Sequence, residues 1–193
     1  MIGNPNRKIQ AGLFVVCMAF CAFMAFEVQG EAFIQFEDIE GESENAQHYK
    51  WCDIISFEHK IQHSIESSTS RLTTLETATV GDIVVVKELD KASPKLAEAC
   101  LKGVIIPFVR IEVVILASNT DNTYTYEMYY SYVLKNVMVS RYSISGSGQS
   151  YEKPIEQVSL HFEEIIAVYQ TPDLQSDSYL GSGYQWKIEV GDS

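Results

Sequence analysis

Residues 87–103 read Lys87-Glu-Leu-Asp-Lys-Ala-Ser-Pro-Lys-Leu-Ala-Glu-Ala-Cys-Leu-Lys-Gly103, and here the chain changes character. Just upstream, Ile83-Val84-Val85-Val86 is a run of aliphatic, mostly β-branched residues that suits a buried strand. Ser93 is placed to accept a hydrogen bond from an orphan N–H at a helix start, and Pro94 fits the first helical position. Leu96, Cys100 and Gly103 follow at i, i+4 and i+7, giving one apolar face. Gly103 can close the helix in the left-handed conformation. A helix of about nine residues is too short to persist alone, so it must dock on a sheet.

Outward from this stretch, the rest of the chain is strand-like. Ala32–Ile39 alternates Phe33, Gln35 and Glu37 against Ile34, Phe36 and Asp38. Glu40-Gly41-Glu42-Ser43 is a turn, and Trp51–Ile61 reads as a second strand with Ile55, Phe57, His59 and Ile61 on one face. Gln62–Gly81 is rich in Ser and Thr and is expected as a long extended loop. Asp82–Leu89 is the third strand. Val104–Ser118 is a long apolar run, with Pro107 confining its first part to an edge or bulge. Asn119–Asn122 makes a hairpin turn. Thr123–Ser145 is very long, either two strands or one strand bent near Lys135-Asn136. After a loop at Gly146–Ser150, Pro154–Gln170 sets Val158, Leu160 and Phe162 against Gln157, Ser159 and His161. Thr171–Gly183 is polar linker, and Gln185–Val190 is a closing strand. The expected fold is all-β: a β-barrel of two packed antiparallel sheets with one short flanking α-helix.

The N-terminus has a different role. Arg7 and Lys8 precede fifteen apolar residues, Gly12–Phe26, and then Val28-Gln29-Gly30. This is the pattern of a secretory signal peptide, with cleavage expected after Gly30. The apolar run is shorter than the roughly 20 residues needed to span a bilayer. Cys21 follows bulky Phe20, which argues against lipoprotein processing. The expected organisation is therefore a signal peptide at 1–30 and one domain at 31–193, secreted or periplasmic, with no stable membrane insertion after cleavage.

Charge narrows the partners. The whole chain carries a formal −12. Removing Arg7, Lys8 and Glu27 leaves 12 basic and 25 acidic residues, or −13. Binding to nucleic acid phosphates depends mainly on Lys and Arg, so nucleic acid is excluded as a partner. Cys17 and Cys21 leave with the signal. Cys52 and Cys100 are expected as unpaired, unreactive thiols, with a disulfide as the alternative.

Catalytic chemistry is missing from the pattern. His59 and His63 stand at i, i+4 but on an alternating segment, so they do not share a helix face as zinc ligands would. The four histidines (His48, His59, His63 and His161) read as surface or strand-face residues. Gly146-Ser147-Gly148 is followed by a strand, not a helix N-terminus, so it is a hairpin and not a phosphate cradle. No serine sits in a G-x-S-x-G turn. Glu163-Glu164 and Glu37-Asp38 are adjacent on strands and point to opposite faces. No catalytic, metal-binding or cofactor-binding residue is assigned, and no cofactor is expected. The tyrosines Tyr124, Tyr126, Tyr129, Tyr130 and Tyr132 are read first as packing, then as a protein interface, then as a sugar platform.

Four segments resemble one family, Hcp, the tube proteins of bacterial type VI secretion. Asp90–Cys100 matches its D-K-x-S-P-x-L-x-x-A-C signature. Phe33–Phe36 followed by Ile39-Glu40-Gly41-Glu42-Ser43 resembles its opening strand and I-x-G-E-S turn. Val137–Tyr169 resembles the family's central run, with Val139-Ser140, the glycine-containing Ser145–Gly148 and Pro154–Leu160. Tyr184–Ile188 resembles the closing strand. The resemblance implies a hexameric ring, rings that stack into a tube, and a lumen that carries or chaperones effector proteins. Tube-tip spike and sheath components would be further partners. It implies no catalysis. The alternative function is a secreted β-sandwich module recognising glycan or protein through the tyrosine-rich face, and a hydrolase ranks last. Relatives assemble in the cytoplasm and lack a leader like this one, and they are often glycine-rich where Gln62–Gly81 is Ser/Thr-rich.

Overall fold

Alternating hydrophobicity becomes nine strands and one helix in the computed structural model, which describes residues 30–68, 71–118, 124–148, 152–170 and 184–189. In chain order these are β1 (Gly30–Phe36), β2 (Cys52–Asp53), β3 (Ser56–Ser68), β4 (Arg71–Glu88), α1 (Ser93–Lys102), β5 (Ile105–Ser118), β6 (Tyr124–Ser145), β7 (Ile155–His161), β8 (Glu164–Tyr169) and β9 (Tyr184–Glu189). All pairings are antiparallel.

The hydrogen-bonded path runs β2-β1-β5-β6-β7-β4-β3, and β8 joins on β6 with β9 beyond it. β6 makes the architecture. Its first half pairs with β8 through Tyr130–Lys135, and its second half pairs with β7 through Met138–Ser145. Between them Asn136 takes φ 50°, a left-handed turn that asparagine tolerates better than most residues. The ladder bends there, and its two wings face each other across one core. Ile34, Phe36, Ile111, Leu134 and Ile165 meet Ile83, Val85, Val139, Val158 and Leu160 in a single buried cluster. α1 lies on β6 and closes the side of that cluster with Leu96 and Ala99. The fold is thus all-β, with packed antiparallel sheets and one short flanking helix, as the sequence predicts.

Several boundaries differ from expectation, each for a physical reason. The stretch expected as one strand at 51–61 breaks at Ile54-Ile55, where Ile54 N–H turns to Ala32 O and Ile55 N–H to Val86 O. Its apolar face is also interrupted: Ile55 is exposed in the break before β3, and Ile61 is exposed just past a register slip after His59. Gln62–Gly81 is not a loop. Ile61 pairs with Val80 and Ser68 with Arg71, so the Ser/Thr-rich stretch is the far part of a long hairpin. β-Branched Thr suits a pleated strand. Pro154–Gln170 divides into β7 and β8 at Phe162-Glu163, because β6 changes partner across its own bend. The 119–122 turn and the 171–183 linker lie outside the described residues. No helix among the described residues is long and apolar enough to cross a membrane.

Candidate functional site

The foot of α1 is where the sequence's distinctive segments meet. Lys87 is inward on β4, in the same alternation as Ile83 and Val85, and is 0 % exposed. Directly opposite in register is Glu156 of β7, itself 1 % exposed. The Lys87 Nζ sits 2.7 Å from Glu156 Oε1 and 2.7 Å from Asp90 Oδ1, and donates to Glu88 O at 3.0 Å. The Tyr142 hydroxyl of β6 donates to Glu156 Oε2 at 2.5 Å. β4, the turn after it and β7 therefore meet at one buried ammonium, and β6 joins through Glu156. Burial works against the charged Lys87, but Cys52, Asp90 and Glu156 outweigh it and raise its pKa above the ordinary lysine value. Burial, followed by the hydrogen bond to Glu156, pushes the Tyr142 phenol up.

The same aspartate starts the helix, and it does so differently from expectation. Ser93 does not cap α1: the N-cap is Ala92, without a side-chain cap bond. Instead Asp90 N–H donates to Ser93 Oγ at 3.0 Å, and Ala92 N–H donates to Asp90 Oδ1 at 2.9 Å. Asp90 and Ser93 thus fold the approach to the helix into a side-chain-locked turn. Pro94 enters the first turn, and Gly103 ends the helix at φ 62° as expected. The buried face is Ser93, Leu96 and Ala99, while Cys100 is only partly covered.

The turn after β1 docks on this foot. Lys91 N–H donates to Glu42 Oε1 at 3.1 Å, and Lys91 Nζ lies 3.2 Å from Glu40 Oε2. Gly41 lets the turn itself close on the Trp51-Cys52 backbone, since a Cβ there would lie 2.2 Å from the Trp51 carbonyl oxygen. Gly41 N–H donates to Lys50 O at 2.7 Å and Ser43 N–H to Trp51 O at 2.8 Å. The I-E-G-E-S turn and the D-K-A-S-P turn are therefore two halves of one joint. Cys52 lies beneath it as a free thiol whose pKa burial pushes far up, so it is inert toward oxidation and exchange. Both Cys52 and Cys100 are unpaired.

Lys87 and Glu156 were missed by motif reading, yet a signal existed. Each occupies an inward position of an otherwise apolar alternation, Ile83/Val85/Lys87 and Glu156/Val158/Leu160. Opposite charges at inward positions of two strands are a pairing signal once the strands are placed side by side.

The residues considered for catalysis remain apart. His48 is not on the surface: it is buried, stacked on Phe33 with ring centroids 4.2 Å apart, and its Nε2 meets Glu112 Oε2 at 2.8 Å. His59 lies among aromatic rings, and His161 pairs with Asp82 at 2.9 Å on the outside. Ser140 Oγ is 2.5 Å from the other oxygen of Asp82. Here the carboxylate stands between serine and histidine, so the histidine cannot take the serine proton as a general base must. Glu163 bonds Asn136, and Glu164 bridges Lys135 and Lys187, so neither glutamate is set up as an acid–base partner of the other. Among the described residues no group of three or more His, Cys, Asp or Glu could hold a metal ion. A groove of about 830 Å³ beside β1 includes Glu31, Ser43, Asp53 and Tyr126, but no histidine is among its lining residues.

Tyr130 and Tyr132 pack on the core, the reading ranked first, while the Tyr124 side chain lies outside the described residues. Tyr132 is buried, Tyr130 leans on it with centroids 5.0 Å apart, and both contact the core. Tyr126 donates to Glu31 at 2.9 Å. The pair that a sugar platform would need, Tyr130 and Tyr132, is turned inward.

Comparison with known proteins gives a consistent answer. The sequence model described as "Type VI secretion system effector, Hcp" matches residues 33–169, from β1 to the end of β8. No curated protein matches the chain. Among solved structures, Hcp1 from Salmonella typhimurium aligns with a TM-score of 0.64 at 19% identity, covering 83% of this chain and 94% of its own. A type VI secretion system effector from Yersinia pestis gives 0.63 at 21% identity, with 82% and 99% covered. A further structure described as a type six secretion system protein gives 0.67 at 23% identity, with 83% and 96% covered. At such identities these structures speak for the fold, while the family match spans most of the chain and includes both halves of the joint at the foot of the helix. This chain belongs to the Hcp family of type VI secretion system effectors.

Proposed function

We propose that the protein is a structural, non-enzymatic subunit that closes into a ring of six and serves a type VI-like secretion apparatus, its lumen carrying effector proteins. The observation that carries this reading is the family match across residues 33–169. The buried joint agrees with it. Its charged side chains pair with one another in the interior, which suits a role in fixing shape. The ladder also ends in β2 and β3 among the described strands, and strand edges are natural surfaces for joining copies. Spike and sheath components would be the further partners.

Residues 1–30 act in this reading as a cleavable signal, leaving a domain at 31–193 that is delivered outside the cytoplasm. Support comes from Arg7-Lys8, the Gly12–Phe26 run and the compact residues at 28–30. Six mature subunits would carry a formal −78 from −13 each. Such repulsion is screened beyond about 8 Å at physiological salt, so the ring tightens as salt is added. Sedimentation at low and high salt, with electron microscopy of the same sample, tests the assembly. Six-fold particles that grow more abundant with salt are expected; a monomer under both conditions rejects the ring. N-terminal sequencing of exported material should begin at Glu31, and a chain that retains Met1 rejects the signal.

A further inference from the structure

β3 is the outermost strand of its wing and is tied to the fold through β4. At its root Phe57 pairs with Val85 and His59 with Ile83. Beyond His59 the register slips, and β4 also loses its second neighbour, because β7 pairs only with Ile83–Glu88. His59 thus marks the boundary between hairpin anchored in the sheet and hairpin held by itself.

The ring at that boundary is turned inward. It meets Tyr132 edge-to-face, with centroids 5.4 Å apart at 89°, and Phe162 at 5.9 Å and 69°. Phe57 meets the same Tyr132 at 6.3 Å. The His59 Nε2 is buried and has no hydrogen-bond partner. A buried nitrogen without a partner is uncommon and calls for a reason.

The groups around it are neutral. β6 presents the Tyr132 and Tyr130 phenols, and burial holds Tyr132 well above the ordinary tyrosine range. β4 presents Ile83, and the segment after β7 presents Phe162. Glu58 and Lys60 flank His59 on its own strand, and both are exposed. Asp82 and His161 pair with each other on the outside. Burial lowers the His59 pKa, and no charged neighbour among the described residues offsets it.

We propose that His59 is an acid-sensitive latch at the root of the β3–β4 hairpin. Neutral, its ring stays wedged between Tyr132 and Phe162 and pins the edge strand at its bulge. Protonated from solvent, the ring has to leave this aromatic pocket, and the strand loses its pin. The sign follows from linkage: above the ordinary histidine value of about 6.5 the latch is fully present. Below it the unlatched chain binds a proton that the latched one refuses, so the latch weakens as pH falls.

Amide hydrogen exchange of the full chain, corrected for intrinsic rate, tests this at pH 8 and pH 5. In the unmodified protein the Phe57–His59 and Ile83–Val85 amides should lose several-fold more protection in acid than the β1 and β5 amides, in the direction that burial of the ring sets. His59→Phe should remove that selective loss. His59→Gln, polar but unable to take the proton, should remove it as well and covers a Phe variant that does not fold. Selective loss that persists in either variant, or its absence in the unmodified protein, overturns the latch. Should both variants fail to fold, histidine titration by NMR on the unmodified chain decides: a His59 pKa at or above the ordinary value overturns the proposal. Because β3 is also an edge open to a second copy, the exchange is measured at one low protein concentration, with the assembly state checked by sedimentation at both pH values.

Discussion

The two ends of β4 live under opposite rules. At one end Lys87 is sealed in the fold, paired in register with Glu156 and bridged to Asp90. At the other, Arg71–Gly81 has β3 as its only strand neighbour among the described residues. A two-stranded hairpin by itself is marginal in water, whereas a strand with neighbours on both sides and a core beneath it is not. One continuous strand thus joins the most constrained place in the molecule to one of the least. The lesson is that length of strand says little about stability; the number of neighbours and the cost of separating them say more.

The largest effect that would sharpen this contrast comes from Lys87→Met. It leaves Glu156 and Asp90 facing each other in a buried site without their cation. Removing one partner of a buried ion pair typically costs about 3–5 kcal/mol. Urea denaturation should show a loss of that order, and the Lys87→Met/Glu156→Gln double variant should recover part of it, since Asp90 is then the one carboxylate left without the lysine and no longer faces a second. The lysine's own contribution has a pH window. Its pKa is raised in the fold, so it stabilises fully below the ordinary lysine value of about 10.4 and is lost as pH rises through the higher folded value. A Lys87→Met protein as stable as the parent would remove the basis for calling this end of β4 the constrained one.

Next in size is Gly41→Ala, which strikes the joint from the other side. The new Cβ would lie 2.2 Å from the Trp51 oxygen, and backbone atoms would have to move. Overpacking of this kind costs about 1–3 kcal/mol. Because Glu42 holds Lys91 N–H at 3.1 Å, the amide of Lys91 should also exchange faster than in the parent. If stability falls while Lys91 stays protected, the two turns are not one joint.

These two residues also show how far the sequence could be read. Gly41, Asp90, Ser93 and Gly103 stand in local patterns with local causes, so the helix, its stop and the turn were legible. The bend at Asn136 was legible too, because the strand around it was too long to stay straight. Lys87–Glu156 was not, since its meaning depends on which two strands lie side by side, and 69 positions separate the residues in the chain. His48 was missed likewise: only the fold places Phe33 and Glu112 against it. The hairpin at 62–81 was misread because polar, Thr-rich sequence is shared by loops and by strands. Catalysis is different, as its components could be sought one by one; the fold then placed His161, Asp82 and Ser140 together in an order unsuited to nucleophilic attack.

The smallest expected effect is the one that could break the comparison. Ile61 pairs with Val80 just past the register slip, and it is about half exposed. If the far hairpin carries little of the fold's stability, Ile61→Ser should change the unfolding free energy by no more than about 0.5 kcal/mol, as most exposed substitutions do. Local behaviour should still respond: amides beyond Ile61 should exchange faster while those of Ile83–Val86 stay as protected as in the parent. Both measurements belong at one protein concentration, because self-association would add its own stability. A loss approaching that of Lys87→Met would mean that β4 is held from both ends, and the hairpin would then be part of the cooperative fold and not an extension of it.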